Sequence, residues 1–275
     1  MVREEQIQIP NITYLSVITV MVLLAYSAIP FLNYPEREIS YELLGIVFTF
    51  NYNFANLISL INAGLAAAGT DWMIRSHPKL SSKRTIHHWI LPALSAWILG
   101  FPLNTMEPDI QWWVVLILGG IFIVFILIAE YIVVDFSDNL HPLASTALSA
   151  FSYAILLFLF VAIKAAEIRL FLAFPILFIS MFLVILRNFY LRFNQKWMWL
   201  QAVVISLAVA EIGIGLHYWP ISPIVYGLLL MGIGYAISNS IAAVKEGFSV
   251  QFAWIEGVIM FSVISGLAFY YWIFG

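Results

Sequence analysis

Asp71, His77, Asp135 and His141 are the residues of this chain whose types and spacing best suit chemistry. They occur in two copies of one phrase. DWMIRSHPKLSS begins at Asp71 and DFSDNLHPLAST at Asp135; each runs Asp, an aromatic, His-Pro six residues on, and then two hydroxyl residues. Carboxylate oxygens and neutral imidazoles are acceptable ligands for Zn²⁺, Mn²⁺ or Fe²⁺. The basic stretch RSHPKLSSKR adds donors suited to a phosphate. Read sharply, Asp71, His77, Asp135 and His141 would ligate a metal that acts on a lipid-linked phosphate. A plainer reading is favoured: Asp at a helix exit is solvated, and Asp138 or His141 caps a helix that opens at Pro142.

Two carboxylates stand behind these loops. Glu130 and Glu256 each fall about one turn inside an apolar segment, where an ionisable group is costly and marks a functional hypothesis. With Asp71, His77, Asp135, Asp138 and His141 they form a candidate polar cluster at one membrane face, and His87 and His88 lie at the same face. A second constellation lies in FNYNFANLISLIN, where Asn51, Asn53, Asn56 and Asn62 would all sit in hydrocarbon. Glu211, placed roughly 9 Å from the opposite surface at 1.5 Å per residue, would share the depth of Asn51. Asn51, Asn53 and Glu211 are therefore a candidate intramembrane relay for a proton or solute. Interhelical hydrogen bonds that only hold helices together are the favoured alternative.

These residues are held by a very apolar chain. Of 275 residues, 63% are hydrophobic and 10% are charged, against about 25% charged in a typical soluble domain. A hydrocarbon core about 30 Å thick takes roughly 20 apolar residues per helix. Open strands would leave peptide groups unpaired there, so the spans must be helices. The fold class is all-α, a polytopic transmembrane bundle of nine spans over 12–33, 41–69, 87–106, 111–134, 143–165, 168–190, 197–217, 222–244 and 251–274, in a single integral membrane domain. The leader MVREEQIQIP lacks the positive start of a cleaved signal. With no Cys, disulfides and thiolate chemistry are excluded.

Lys and Arg set the orientation. Nine of the twelve fall on the side of Arg75 and Lys79 and three on the side of Arg37, which puts the N-terminus in the cytoplasm and the C-terminus outside. Nine of the ten Trp fall near span ends, as indole prefers, and Trp97 lies deep. Small residues at helical spacing, Gly64/Ala68, Gly232/Ala236/Ser240 and Ser262/Gly266 among them, suit close helix packing. Arg187, Arg192 and Lys196 are expected at anionic headgroups.

The helix count is similar to that of the membrane prenyltransferases, but the acidic motifs of that family have no counterpart. The first loop offers only Asp71, and LRNFYLRFNQKW has no acid. Gly-rich phosphate loops, a His-Glu-x-x-His helix and a nucleophile elbow are missing too. The first-ranked function is a non-catalytic accessory or scaffold subunit. A small-solute or proton-coupled transporter using Glu211 and the Asn-rich second span comes next, and the metal-dependent enzyme last. The expected partners are the lipid bilayer and another membrane protein, with no nucleic acid, and the expected place is a prokaryotic inner membrane. No cofactor follows from the residues.

Overall fold

The computed structural model describes residues 10–31, 37–43, 46–52, 54–80, 84–193 and 196–274. Among them, nine helices are long and apolar enough to cross a membrane, so the protein is a multi-pass helical bundle. By internal contacts the chain divides into two compact units, 1–144 and 145–275.

The first unit holds α1 (Ile12–Ser27), a hairpin of β1 (Arg37–Leu43) and β2 (Ile46–Tyr52), α2 (Phe54–Arg75), a 3-10 turn (Ile86–His88), α3 (Ile90–Thr105) and α4 (Ile110–Ile132). Helix starts follow the capping residues. Asn11 accepts from the Thr13 amide at 2.9 Å and Asp109 from the Trp112 amide at 3.0 Å, each satisfying a backbone donor that the first turn leaves unpaired. Helix α2 packs against α1, α3 and α4. Its polar face is used there: Asn104 of α3 donates to Asn56 at 3.3 Å. Gly100 of α3 meets α2 so closely that a β-carbon on it would lie 2.0 Å from Ser59 Oγ. Indole Nε1 of the buried Trp112 donates to the Leu103 carbonyl at 2.9 Å and ties α4 to α3.

The second span departs from expectation. A helix was expected over 41–69, but 37–52 pair as an antiparallel hairpin, Arg37 opposite Tyr52 and Leu43 opposite Ile46, and α2 runs instead from 54 to 75. Two short strands leave unpaired edges that hydrocarbon would not tolerate, so the hairpin belongs outside the apolar layer. Asn51 is thus a strand residue rather than part of a membrane helix, and Asn53 lies outside the described residues. At the other end, Asp71 falls within the last turns of α2 rather than beyond it.

The second unit holds most of α5 (His141–Ala165) and all of α6 (Leu170–Arg192), α7 (Trp199–His217), α8 (Pro223–Lys245) and α9 (Val250–Phe274). Ser222 caps α8, accepting from the Val225 amide at 3.4 Å, with Pro223 in the first turn, where a missing amide costs nothing. The stripe Gly232/Ala236/Ser240 is the seat of α9: a β-carbon on Gly257 would lie 2.3 Å from Ser240 Oγ and 3.2 Å from the Ala236 carbonyl. Lys164 donates to the carbonyls of His217 and Trp219, a cation on the negative end of α7.

Candidate functional sites: a braced polar layer and a polar cavity

In the first unit the segments after α2 and after α4 meet. Lys79 Nζ reaches Asp135 Oδ2 at 2.5 Å and Ser137 Oγ at 3.0 Å. The His77 ring lies against Tyr131 of α4 with centroids 4.5 Å apart, and its Nδ1 accepts from the Lys79 amide at 3.1 Å. The repeated phrase is therefore one contact seen from two sides, although the copies differ in form. The first Asp is helical, four residues before the end of α2, while the second follows the end of α4 in a turn that its own carboxylate closes, accepting from the Ser137 amide at 3.0 Å.

Each candidate side chain of this unit has an assigned neighbour. Asp71 accepts from Arg75 Nε at 2.6 Å, from the Thr85 hydroxyl and from Trp89 Nε1 at 3.2 Å, which ties the end of α2 to the entry of α3. Glu130 is fully buried, and its Oε2 lies 2.6 Å from Nδ1 of the buried His88. The rings of His87 and His88 stand 4.0 Å apart. Asp138 accepts from the Leu140 amide at 2.8 Å and leads into α5. His141 opens α5 against Phe136, centroids 4.6 Å apart, and its buried Nε2 has no hydrogen-bond partner among the described residues.

The electrostatics follow this bracing. Burial alone would raise the Asp135 carboxyl, but the hydrogen bonds of Lys79 and Ser137 and the ammonium charge carry it down to about 2. Burial pushes the His77 imidazole below its ordinary range, and Lys79 and His88 act in the same sense, against Asp135 and Asp138. Among the described residues no three His, Asp or Glu side chains are placed to hold a metal ion. Asp71, His77, Asp135 and His141 instead take separate partners.

Two sequence candidates lie in the second unit. Glu256 of α9 accepts from Asn239 Nδ2 of α8 at 3.0 Å. Glu211 points outward from α7 along the exposed face of Val204 and Leu207. Arg187, expected at headgroups, is buried instead, its guanidinium 5.8 Å from the Tyr190 ring centre.

The second unit also contains a feature that the spacing of charged residues did not reveal, a cavity of about 310 Å³ between α5, α6 and α8. Helix α5 contributes Ser145, Thr146, Ser149 and Tyr153; α6 contributes Asn188, Phe189 and Arg192; α8 contributes Tyr235, Ser238 and Asn239. The wall runs along the first turns of α5 and the last turns of α6 and α8. From Ser145 to Tyr153 the part of the wall on α5 runs roughly 12 Å at 1.5 Å per residue. The Tyr153 hydroxyl lies 2.7 Å from Ser238 Oγ, and its ring meets Tyr235 edge-on at 5.0 Å. Arg192 is held by Glu246 through Nε and, at 2.7 Å, through Nη2, while its Nη1 donates to Asn239 Oδ1 at 2.7 Å. The amide nitrogen of Asn188 is buried with no hydrogen-bond partner among the described residues. The signal was in the sequence as Ser145, Ser149 and Tyr153, one helical face of α5, but hydroxyls on an apolar helix read equally as packing residues.

Comparison with known proteins adds a family and no activity. No curated protein and no solved structure matches the chain. Residues 34–271 match the family described as "Protein of unknown function (DUF5656)", and the chain belongs to that family.

Proposed function

We propose that this is a non-catalytic membrane subunit that binds a small polar ligand in the cavity of its second unit. The N-terminus would face the cytoplasm and the C-terminus the outside, in one integral membrane domain of a prokaryotic inner membrane. The observation that carries the reading is the wall of hydroxyls and amides between α5, α6 and α8. Polar groups inside an apolar layer are costly unless paired, and here they converge on a shared space rather than on one another alone. The volume falls near the lower end of small-ligand sites, roughly 300–1,000 Å³. A binding role also accounts for the first unit. Its carboxylates and imidazoles hold helix ends together, as His88 with Glu130 and Lys79 with Asp135 illustrate, so that unit serves as support.

The test is retention of a ligand by the intact protein. Native mass spectrometry of chain released from nanodiscs should show a small adduct, and Ser149→Trp, which fills the cavity, should lose it without loss of thermal stability. Identical spectra for the two proteins would sink the reading. Carriage across the membrane is the alternative, favoured by the polar wall that α5 carries along its axis from Ser145 to Tyr153. Uptake into vesicles blocked by the same Ser149→Trp change would establish it.

A further inference from the structure

The chemistry of the cavity wall narrows the ligand, and this inference rests on the reading of the cavity as a binding site. Three observations bear on it.

The first is charge. Among the described residues Arg192 is the one ionised side chain in the wall, and its guanidinium is already engaged by Glu246 and Asn239. A phosphate or carboxylate would have to displace Glu246 from a two-pronged pair and would meet Glu256 behind Asn239. An ammonium would meet Arg192 itself. An anion is therefore opposed by the carboxylates of Glu246 and Glu256, and a cation by Arg192, which stands in the wall while both carboxylates lie outside it.

The second is the kind of polar group present. Hydroxyls and carboxamides each donate and accept, so they match a ligand that also does both at several points. Asn188 offers a buried N–H that lies beside the Tyr153 hydroxyl without making a well-formed hydrogen bond, and a buried donor left so is worth more to satisfy than an ordinary exchanged hydrogen bond. A ligand oxygen at this point would satisfy it.

The third is shape. The Tyr153 and Tyr235 rings meet edge to face, and Phe189 completes an apolar wall beside the hydroxyls. Such a wall suits a compact ring that carries C–H faces and hydroxyl edges together. We propose that the cavity binds a neutral polyhydroxyl group the size of one ring, a monosaccharide or cyclitol, either free or as the headgroup of a glycolipid.

The experiment uses the full-length chain in nanodiscs, titrated by calorimetry and native mass spectrometry with five probes. These are glucose and myo-inositol in solution, a monoglucosyl diacylglycerol in the bilayer, phosphatidylglycerol in the bilayer and tetramethylammonium in solution. The expected result is binding of a polyol or of the glycolipid. Binding of the free polyol identifies a solute, and binding of the glycolipid alone identifies a headgroup; either supports the proposal. Asn188→Leu should weaken that binding about tenfold, the size of one hydrogen bond at the upper end of its usual range. Tyr235→Phe removes only a hydroxyl and serves as the second variant if Asn188→Leu fails to fold. Saturable binding of the anionic or cationic probe in place of the neutral ones would overturn the ligand class and leave the cavity reading standing. Binding of no probe, together with a Ser149→Trp variant that retains the same native adduct as wild type, would overturn both.

Discussion

Asp135 and His77 share one loop contact, yet acid acts on them over different ranges. His77 is held below the ordinary imidazole value of about 6.5, with burial the largest cause. Between its folded value and about 6.5 the unfolded chain binds more protons, so the stability it contributes is complete above about 6.5 and is lost as the pH falls. Asp135, at about 2, keeps its contribution down to the ordinary carboxylate value of about 3.9 and loses it as the pH falls towards 2. Thermal unfolding in detergent between pH 7 and pH 2 should therefore fall in two stages. His77→Gln should flatten the stage below 6.5 and leave the lower one. Lys79→Met should move the lower stage to higher pH, because burial of Asp135 would then be opposed by Ser137 alone. Profiles unchanged in both variants would remove the loop contact from the account of stability. At this scale Asp71 and Asp135 look equivalent in the phrase, yet only Asp135 meets the other copy, through Lys79. Glu130 was visible as a costly acid, but nothing in its neighbourhood along the chain announces His88, which comes from 42 positions away.

The starts of α4 and α8 were legible: expected at 111 and 222, they lie at Ile110 and Pro223, where Asp109 and Ser222 cap them. The segment 37–52 failed because it is apolar for a different reason. REISYEL and IVFTFNY carry β-branched and aromatic residues at alternate positions, a strand pattern, and two residues separate them as in a tight hairpin. Excluding strands from hydrocarbon was sound, but it was applied to residues that need not be there. Helix contacts were partly legible: Gly232/Ala236/Ser240 does seat α9, whereas a β-carbon on Gly64 or Gly266 would meet nothing within 4 Å. Gly100 went unnoticed, although Ser59 of α2 packs directly against it. With Ser59 Oγ only 2.0 Å from the position of an added β-carbon, Gly100→Ala must push the helices apart or turn Ser59 away. The cost of such overpacking is about 1–3 kcal/mol, readable by reversible unfolding in mixed micelles. Ser59→Gly in the same background should restore part of it. A Gly100→Ala protein as stable as wild type would mean that the α2–α3 contact is looser than described.

For the whole molecule the question is which way it is threaded. The imbalance of Lys and Arg survives the changes that the structure makes. Arg187 is buried and no longer counts as a loop charge, yet the remaining division is still eight to three. The later start of α2 leaves Arg37 in the hairpin segment on one side and Arg75 and Lys79 at the other end of the helix. Helix α2, 22 residues long, spans roughly 33 Å at 1.5 Å per residue, enough to cross an apolar layer about 30 Å thick. Ser40 in β1 and Ser76 just after α2 should therefore lie on opposite faces. The chain has no Cys, so one introduced thiol reports without background. A membrane-impermeant maleimide should label Ser40→Cys in intact cells, and Ser76→Cys only after the cells are permeabilised. A reporter fused after Gly275 should behave like position 40, because an odd number of spans separates it from position 76. The reverse pattern would invert the molecule and put the ends of α6 and α8, which line the cavity, at the outer face. Labelling of both positions from one side would mean that α2 does not cross. The nine-span threading would then fail at the helix to which Asp71 belongs.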